Sequence, residues 1–204
     1  LAGTNGQLRG FTNLGSGLFR ERKSTGSTDP LAVSEVTQIT VDDLNSDDLP
    51  DVLLTRSNQP PLLLANLRGG GLSRSNQPPG WTTARVLATG DFNNDLRIDV
   101  VMVCENTVEI HFSPLAEPRR LPARNNRLQG IRAIDYDNDG WLDLIAWGAD
   151  GLRVWRNRGS AGFHDATQEL GLDTLQTTPI TGLVAADFDQ DGDIDLIAST
   201  GPAG

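Results

Sequence analysis

The sequence of 204 residues predicts an all-β protein built from repeated antiparallel sheets. Three observations indicate this class. An acidic pattern of nine residues recurs four times, and a short apolar run follows each copy. Gly-rich turns then precede further apolar residues in most of the repeats. Apolar runs of strand length that are bounded by turn residues favour strands over helices. The sequence contains no run of 18 apolar residues, so no transmembrane helix is expected.

The acidic pattern reads D-x-[DN]-x-D-x-x-x-D, and its four copies align without gaps. We call them Loop 1 (residues 43–51), Loop 2 (91–99), Loop 3 (135–143) and Loop 4 (187–195). Position 2 is apolar in every copy, and an apolar run follows every final Asp, so the repeat extends beyond the acidic residues. The copies begin 44–52 residues apart, which is the period of a β-propeller blade and longer than that of a typical β-helix.

Each repeat is predicted to contain four short strands. The loop joins the first two, as residues 36–41 and 52–54 show for Loop 1. A fourth strand is expected to begin after a Gly-rich turn, at Phe19 and at Phe163. Third strands are predicted at residues 62–66, 107–112 and 152–157, and residues 8–13 fit the same pattern. Four antiparallel strands in each repeat predict the blades of a β-propeller.

The chain is predicted to form a single propeller domain or fragment over residues 1–204 with about four blades. Complete blades are expected at residues 36–80, 84–128 and 129–175. Residues 1–22 are expected to supply the outer strands of an incomplete blade, and residues 180–204 the inner strands of a last blade. The two ends either pair with each other in a four-bladed ring or belong to a larger propeller that other chain completes, because folded proteins avoid unpaired strand edges.

The four loops are predicted to bind up to four Ca²⁺ ions. Carboxylates at positions 1, 3 and 5 converge when the chain curls tightly, the Asp at position 9 closes the shell, and the backbone carbonyl at position 7 adds a ligand. A shell of six to eight oxygen ligands suits Ca²⁺ better than Mg²⁺. The predicted ligands are Asp43, Asn45, Asp47, Leu49 and Asp51; Asp91, Asn93, Asp95, Arg97 and Asp99; Asp135, Asp137, Asp139, Trp141 and Asp143; and Asp187, Asp189, Asp191, Asp193 and Asp195.

The acidic pattern has two alternative interpretations. An EF-hand requires Glu at position 12 and flanking helices, whereas position 12 is Leu54, Met102, Ala146 or Ala198 here and the flanks resemble strands. Metal-free turns rich in Asp and Asn are the other alternative. Four aligned copies favour metal, and four Ca²⁺ ions would offset most of the net charge of −10.

The four loops are not expected to bind calcium equally. Loops 3 and 4 carry Asp at positions 1, 3, 5 and 9, and Gly140 or Gly192 at position 6, where a sharp turn favours glycine. Loops 1 and 2 carry Asn at position 3 and lack that glycine, so weaker binding is expected. Each loop supplies its own ligands, so the sites are expected to be independent.

The loops, their following apolar strands and the Asn-x-Gly turns resemble the FG-GAP/VCBS repeats of integrin α-subunit propellers, bacterial secreted proteins and some fungal lectins. The resemblance implies four-stranded antiparallel blades with Ca²⁺ in the first connecting loop, an extracytoplasmic location, and a role in adhesion or ligand recognition. It also implies about seven blades, which favours the larger propeller. The Phe-Gly and Gly-Ala-Pro signatures are absent, so the VCBS-like form is the closer match and integrin-style partner binding is not implied.

The leading functional expectation is a calcium-stabilised scaffold for protein–protein interaction or adhesion, as a segment of a larger assembly. Its variable loops are predicted at residues 24–30, 57–61, 75–81 and 114–127. Carbohydrate binding is the alternative, because Trp81 and Trp141 could stack on sugar rings, whereas Trp147 and Trp155 lie in predicted strands and are expected in the core.

An enzymatic role is not expected, although a part of a secreted calcium-dependent enzyme is the less favoured third interpretation. The two histidines, His111 and His164, lie on predicted strands, and no nucleophile-elbow, paired-histidine zinc or phosphate-loop motif is present. The acidic charge and the lack of a basic cluster also exclude a nucleic-acid partner.

Overall fold

The computed structural model describes residues 6–23, 26, 28–69, 71–76, 78–105, 107–113, 117–123 and 127–201. These residues form sixteen β-strands and two short 3-10 turns at Gly159–Ala161 and Asp173–Leu175. The all-β prediction is therefore confirmed. Within the same residues no helix has the length and apolar character needed to cross a membrane.

The chain divides into two compact units, residues 1–83 and residues 84–204. The first unit contains Hairpin A and the four-stranded antiparallel Sheet I. Its buried core is formed by Val33, Leu54 and Leu64. Hairpin A is β1 (Gly10–Asn13) and β2 (Phe19–Arg22), and Sheet I is β3 (Val36–Asp42), β4 (Asp51–Arg56), β5 (Gln59–Leu67) and β6 (Gly71–Arg74).

The second unit contains two four-stranded antiparallel sheets, Sheet II and Sheet III, and the two-stranded Hairpin B. In every sheet each strand pairs with its neighbour in sequence. Sheet II is β7 (Leu87–Gly90), β8 (Asp99–Val103), β9 (Thr107–His111) and β10 (Arg119–Pro122); Sheet III is β11 (Leu128–Ile134), β12 (Asp143–Gly148), β13 (Gly151–Asn157) and β14 (Phe163–Asp165); Hairpin B is β15 (Ile180–Ala186) and β16 (Asp195–Thr200).

Sheet III is buried on both faces. Leu144 on β12 packs into a core shared with Sheet II, whereas the next residue, Ile145, packs into a core shared with Hairpin B. Successive side chains of a strand point to opposite faces, so two covered faces require a continuous apolar run. Each of these side chains is at most 1% exposed, and burying one stabilises the fold by roughly 2 kcal/mol.

The predicted strands on either side of each loop are present, and fourth strands begin at Phe19 and Phe163 as expected. Two of the predicted variable loops are partly wrong. Residues 57–61 enter a strand because β5 begins at Gln59, and residues 114–127 contain β10 (Arg119–Pro122). Other parts of the predicted loops and blades lie outside the described residues: 1–5, 24, 25, 27, 70, 77, 106, 114–116, 124–126 and 202–204.

Candidate metal centres

All four loops follow the same left-handed path at two positions. At position 6 the φ angle is 66° at Asp48, 67° at Leu96, 85° at Gly140 and 97° at Gly192. A permissive residue is therefore favoured there, as the sequence predicts. The structure adds position 4, which the sequence analysis missed, although the signal was visible because Asn adopts this conformation more readily than most residues. The φ angles at position 4 are 59° at Ser46, 56° at Asn94, 55° at Asn138 and 65° at Gln190.

The Asp at position 1 organises each loop by accepting backbone hydrogen bonds from positions 5 and 6, and in Loop 4 it also accepts one from the N–H of Gln190. In Loop 3 the N–H of Asp139 donates to Asp135 Oδ1 at 3.1 Å, and the N–H of Gly140 donates to Asp135 Oδ2 at 2.9 Å. Each carboxylate oxygen has a second lone pair, so these bonds leave capacity for a cation. The same contacts join Asp47 and Asp48 to Asp43, Asp95 and Leu96 to Asp91, and Asp191 and Gly192 to Asp187.

In Loops 1, 2 and 3 the Asp at position 9 joins the loop to the third strand or to the residues just after it. Asp51, Asp99 and Asp143 are 0% exposed. Asp143 accepts hydrogen bonds from the N–H of Asn157 on β13, at 2.6 Å, and from the N–H of Tyr136 at 3.2 Å. Burial raises the pKa of Asp99 and of Asp143 to about 6, although the backbone hydrogen bonds act in the opposite direction. Burial also raises the pKa of Asp51.

Carboxylates from positions 1, 3 and 9 converge in Loops 3 and 4. Asp135, Asp137 and Asp143 each offer one oxygen, and these oxygens lie within 4.8 Å of one another. Asp187, Asp189 and Asp195 form the equivalent group in Loop 4. Among the described residues, neither group includes the carboxylate of position 5. The four ligands assigned to backbone carbonyls at position 7, in Leu49, Arg97, Trp141 and Asp193, remain a prediction.

Loops 1 and 2 differ at position 3, where an amide replaces the carboxylate. Asn45 donates from Nδ2 to Asp47 Oδ2 at 3.1 Å, and Asn93 donates to Asp95 Oδ2 at 3.0 Å. The hydrogen bond from the neutral amide thus stabilises the neighbouring carboxylate. This contact is consistent with the expected weaker cation binding in these two loops.

The donor set fits a hard cation. Within the described residues both carboxylate oxygens of Asp137 are buried and accept no hydrogen bond, although Arg156 Nη2 lies 2.6 Å from Oδ2. A buried carboxylate without hydrogen bonds is costly unless positive charge compensates it. All the converging side-chain donors are oxygen atoms, which is the ligand chemistry of Ca²⁺.

Neighbouring loops of the second unit are joined by an asparagine ladder, which we define as Asn94 and Asn138 with the carbonyls they contact. The Nδ2 group of Asn94 in Loop 2 donates to the carbonyl of Gly140 in Loop 3 at 3.1 Å. The Nδ2 group of Asn138 in Loop 3 donates to the carbonyl of Gly192 in Loop 4 at 2.8 Å. Each bond runs from position 4 of one loop to position 6 of the next, a link that the sequence analysis missed.

The tryptophans differ in their suitability for stacking on a sugar. Trp81 is only 9% exposed, so its predicted role as a sugar platform is wrong. Trp155 is 2% exposed, and the ring of Trp147 covers Gly130, in agreement with their expected packing roles. Trp141 is half-buried, and its ring lies so close to Gly159 that a Cβ there would be 2.6 Å from Cζ2.

Comparison with known families supports the same repeat. Residues 135–198, which include Loops 3 and 4, match a family described as an FG-GAP-like repeat. The match confirms the FG-GAP resemblance that the acidic loops indicate. No curated protein matches the chain.

Proposed function

We propose that this chain is a calcium-stabilised β-propeller scaffold that binds a protein ligand or mediates adhesion outside the cytoplasm. One observation carries the proposal: three carboxylates converge in Loops 3 and 4, on a backbone path that all four loops share. The FG-GAP-like match supports the same class of scaffold. Millimolar extracellular calcium would fill even weak sites of this kind.

The blades belong to a larger propeller of about seven blades in this proposal. Sheets I, II and III have the four antiparallel strands of a blade, whereas Hairpins A and B have two each. Apolar side chains on both hairpins are open to solvent: Phe19 is 66% exposed and Ile197 is 59% exposed. Pairing with further strands would cover these side chains and the free strand edges.

Calcium titration tests the scaffold proposal directly. Calorimetry on the full chain is expected to detect up to four Ca²⁺ ions, and the melting temperature is expected to rise with calcium because the ion binds the folded state. Chelation should lower the melting temperature, and Ca²⁺ should restore it better than Mg²⁺. Identical melting curves with calcium and with chelator would contradict the proposal.

Protein binding is supported by an apolar side chain at the tip of a loop. Leu96 is 92% exposed and stands in a left-handed conformation with φ of 67°. A strained, exposed residue on a rigid loop suits ligand contact better than folding. Affinity capture from the extracellular fraction of the native source should recover a protein with the natural chain and lose it with Leu96→Asp. Equal recovery with both chains would exclude Leu96 as the contact.

Carbohydrate binding is the second candidate, and a polar pocket favours it. The pocket has a volume of about 300 Å³ and offers both hydrogen-bond donors and acceptors to a polyol. Its lining residues are Arg153, His164, Asp165, Gln168, Glu169 and Gln176. A glycan array decides between the candidates: a signal that disappears with Gln168→Ala would favour a lectin, whereas a blank array would favour a protein ligand.

The proposal does not include catalysis. His111 is 6% exposed and lies 3.2 Å from Glu109 Oε2, and His164 lies 2.6 Å from Glu169 Oε1. Both side chains therefore have structural partners. The interpretation as part of a calcium-dependent enzyme has a simple test: cleavage of any bound glycan during incubation with calcium would replace the binding role with an enzymatic one.

A further inference from the structure

An arginine contacts two of the predicted calcium ligands of Loop 3. Arg156 lies on β13, and its Nη2 atom is 2.6 Å from Asp137 Oδ2 and 3.3 Å from Asp139 Oδ2. The contact with Asp139 is a hydrogen bond, whereas the contact with Asp137 is a close ion pair without hydrogen-bond geometry. Asp137 belongs to the converging carboxylates of Loop 3, so the guanidinium contacts a predicted calcium ligand directly.

The arginine is particular to this loop. In each four-stranded sheet, one residue of the third strand or just after it donates its N–H to the final Asp of the loop. The residue before that donor is Ala65 in Sheet I, Phe112 in Sheet II and Arg156 in Sheet III. Only the third of these carries a charge, so Loops 1 and 2 have no equivalent cation at this position.

We infer that Arg156 is a built-in counter-cation that competes with calcium for Loop 3. The inference rests on the proposed calcium function. A guanidinium in contact with Asp137 neutralises part of the charge that attracts Ca²⁺, and its own charge repels the ion at short range. Calcium must therefore displace Arg156 or share its carboxylates, which weakens binding. A guanidinium is not deprotonated in proteins, so the side chain stays charged at every relevant pH.

The counter-cation has two consequences of opposite sign. Loop 3 binds calcium more weakly than its four carboxylates suggest, although the sequence predicts it to be one of the two strong sites. Loop 3 also stays partly neutralised when calcium is absent, because Arg156 screens the repulsion between Asp137 and Asp139. Removing the charge should therefore strengthen calcium binding and weaken the calcium-free fold at the same time.

Terbium luminescence can report Loop 3 separately from the other loops. Tb³⁺ takes the same oxygen ligands as Ca²⁺, and a nearby indole sensitises its emission. Position 7 is Trp141 in Loop 3, whereas it is Leu49, Arg97 and Asp193 in the other loops. Sensitised emission that disappears in Trp141→Phe is therefore assigned to Loop 3, and competition with Ca²⁺ converts the signal into a calcium affinity.

The test compares Arg156→Met with Arg127→Met in the full chain. Arg127 precedes β11 at the end of Sheet III away from Loop 3, and its ion pair joins it to Asp150. Arg156→Met should shift the calcium competition midpoint to about tenfold lower concentration, and it should melt earlier in chelator. Arg127→Met should change neither quantity. Arg156→Gln, which is neutral but still polar, should reproduce the shift if charge rather than packing is responsible.

The experiment distinguishes failure of the counter-cation inference from failure of the calcium proposal. An unchanged or higher midpoint in both Arg156 variants would overturn the counter-cation, and calcium binding by the natural chain would still stand. Circular dichroism in calcium confirms that the variants fold, and Arg156→Gln decides the question if Arg156→Met does not. Absence of sensitised emission from the natural chain, together with no effect of calcium on melting, would defeat the calcium proposal itself.

Discussion

Loop 3 and Loop 4 share the pattern D-x-D-x-D-G-x-x-D but differ in the burial of their final Asp. Asp143 of Loop 3 is 0% exposed, whereas Asp195 of Loop 4 is exposed. Both accept a hydrogen bond from the N–H of position 2. Asp143 accepts a second bond from Asn157 on the third strand of its sheet, and Hairpin B consists of two strands only.

The comparison separates two causes of the loop geometry. The internal path of the loop is local, because Loop 4 has the same left-handed positions as Loop 3 and the same hydrogen bonds from positions 5 and 6 to its first Asp. The burial of the final Asp comes from the third strand. Substitutions in these loops test whether the local path and the burial of the final Asp have separate causes.

The largest effect is expected from removing the final Asp. Asp143→Ala leaves the N–H groups of Tyr136 and Asn157 without their acceptor, and each buried unpaired donor costs about 1–3 kcal/mol. Asp195→Ala removes an exposed acceptor and should cost less than about 1 kcal/mol. Urea unfolding in chelator measures both. Equal losses of stability would show that the third strand does not determine the role of this residue.

The pH dependence of the calcium-free protein should follow the buried carboxyl of Asp143. Its pKa is raised by burial to about 6, compared with about 3.9 for an unfolded chain. Because the folded pKa is the higher one, its stabilising contribution is complete below about pH 4 and is lost as the pH rises through about 6. The melting temperature of the natural chain minus that of Asp143→Asn should therefore fall between pH 4.5 and 7 in chelator.

Burial lowers the pKa of His111, so the contribution of His111 to stability changes with pH in the opposite direction. Subtracting the melting temperature of Asp143→Asn from that of the natural chain removes this contribution. In saturating calcium the same difference should rise with pH, because the ion binds the ionised carboxylate of Asp143 and not its amide replacement. A flat difference in chelator would mean that Asp143 titrates as an ordinary exposed Asp.

A moderate effect is expected from the asparagine ladder. Asn138→Ala removes the bond to the Gly192 carbonyl, and a hydrogen bond of this kind contributes about 0.5–1.5 kcal/mol. Calcium affinity at Loops 3 and 4 should fall a few fold, because the bond joins the two loops. Asn94→Ala should instead affect Loops 2 and 3. Unchanged affinity in Asn138→Ala would agree with the sequence-based expectation that the loops bind independently.

The smallest effect is expected at position 6 of Loop 2. Leu96 holds a left-handed φ of 67°, a conformation that costs a residue with a Cβ roughly 1–2 kcal/mol. Leu96→Gly should relieve this strain, but glycine loses more chain entropy on folding, so the net gain should be about 0.5–1 kcal/mol. Gly140→Ala in Loop 3 should lose a similar amount. Thermal melting in calcium compares the two changes, and opposite signs are the expected result.

The sequence predicts the local features of the molecule well. The acidic repeat and its apolar runs place most strands correctly, because strand length, turn residues and the left-handed position 6 are properties of short segments. The convergence of Asp135, Asp137 and Asp143 was also predictable, since the spacing of these residues and the curl of the chain determine it.

The features that were missed depend on contacts between distant residues. Arg156 is separated from Asp137 by a full strand and its turn, and Asn138 contacts a carbonyl of another sheet. The burial of Trp81 depends on packing that its neighbours in the sequence, Pro79 and Gly80, do not indicate. The β10 strand lies in a segment that the sequence predicts to be a variable loop, and its residues, Arg-Arg-Leu-Pro, are mostly polar and end in proline.

The asparagine ladder also determines where the chain tolerates changes in length. The ladder bonds join residues that are 46 apart in one case and 54 apart in the other, yet both connect the same two loop positions. The eight additional residues of the longer spacing must therefore lie between Loop 3 and Loop 4. Residues 168–171 and the 3-10 turn Asp173–Leu175 form a largely exposed connection there, before β15. A tag or reporter peptide inserted after Gly171 would leave the spacing of the loops intact. A single residue added inside Loop 3 would displace both ladder contacts at once.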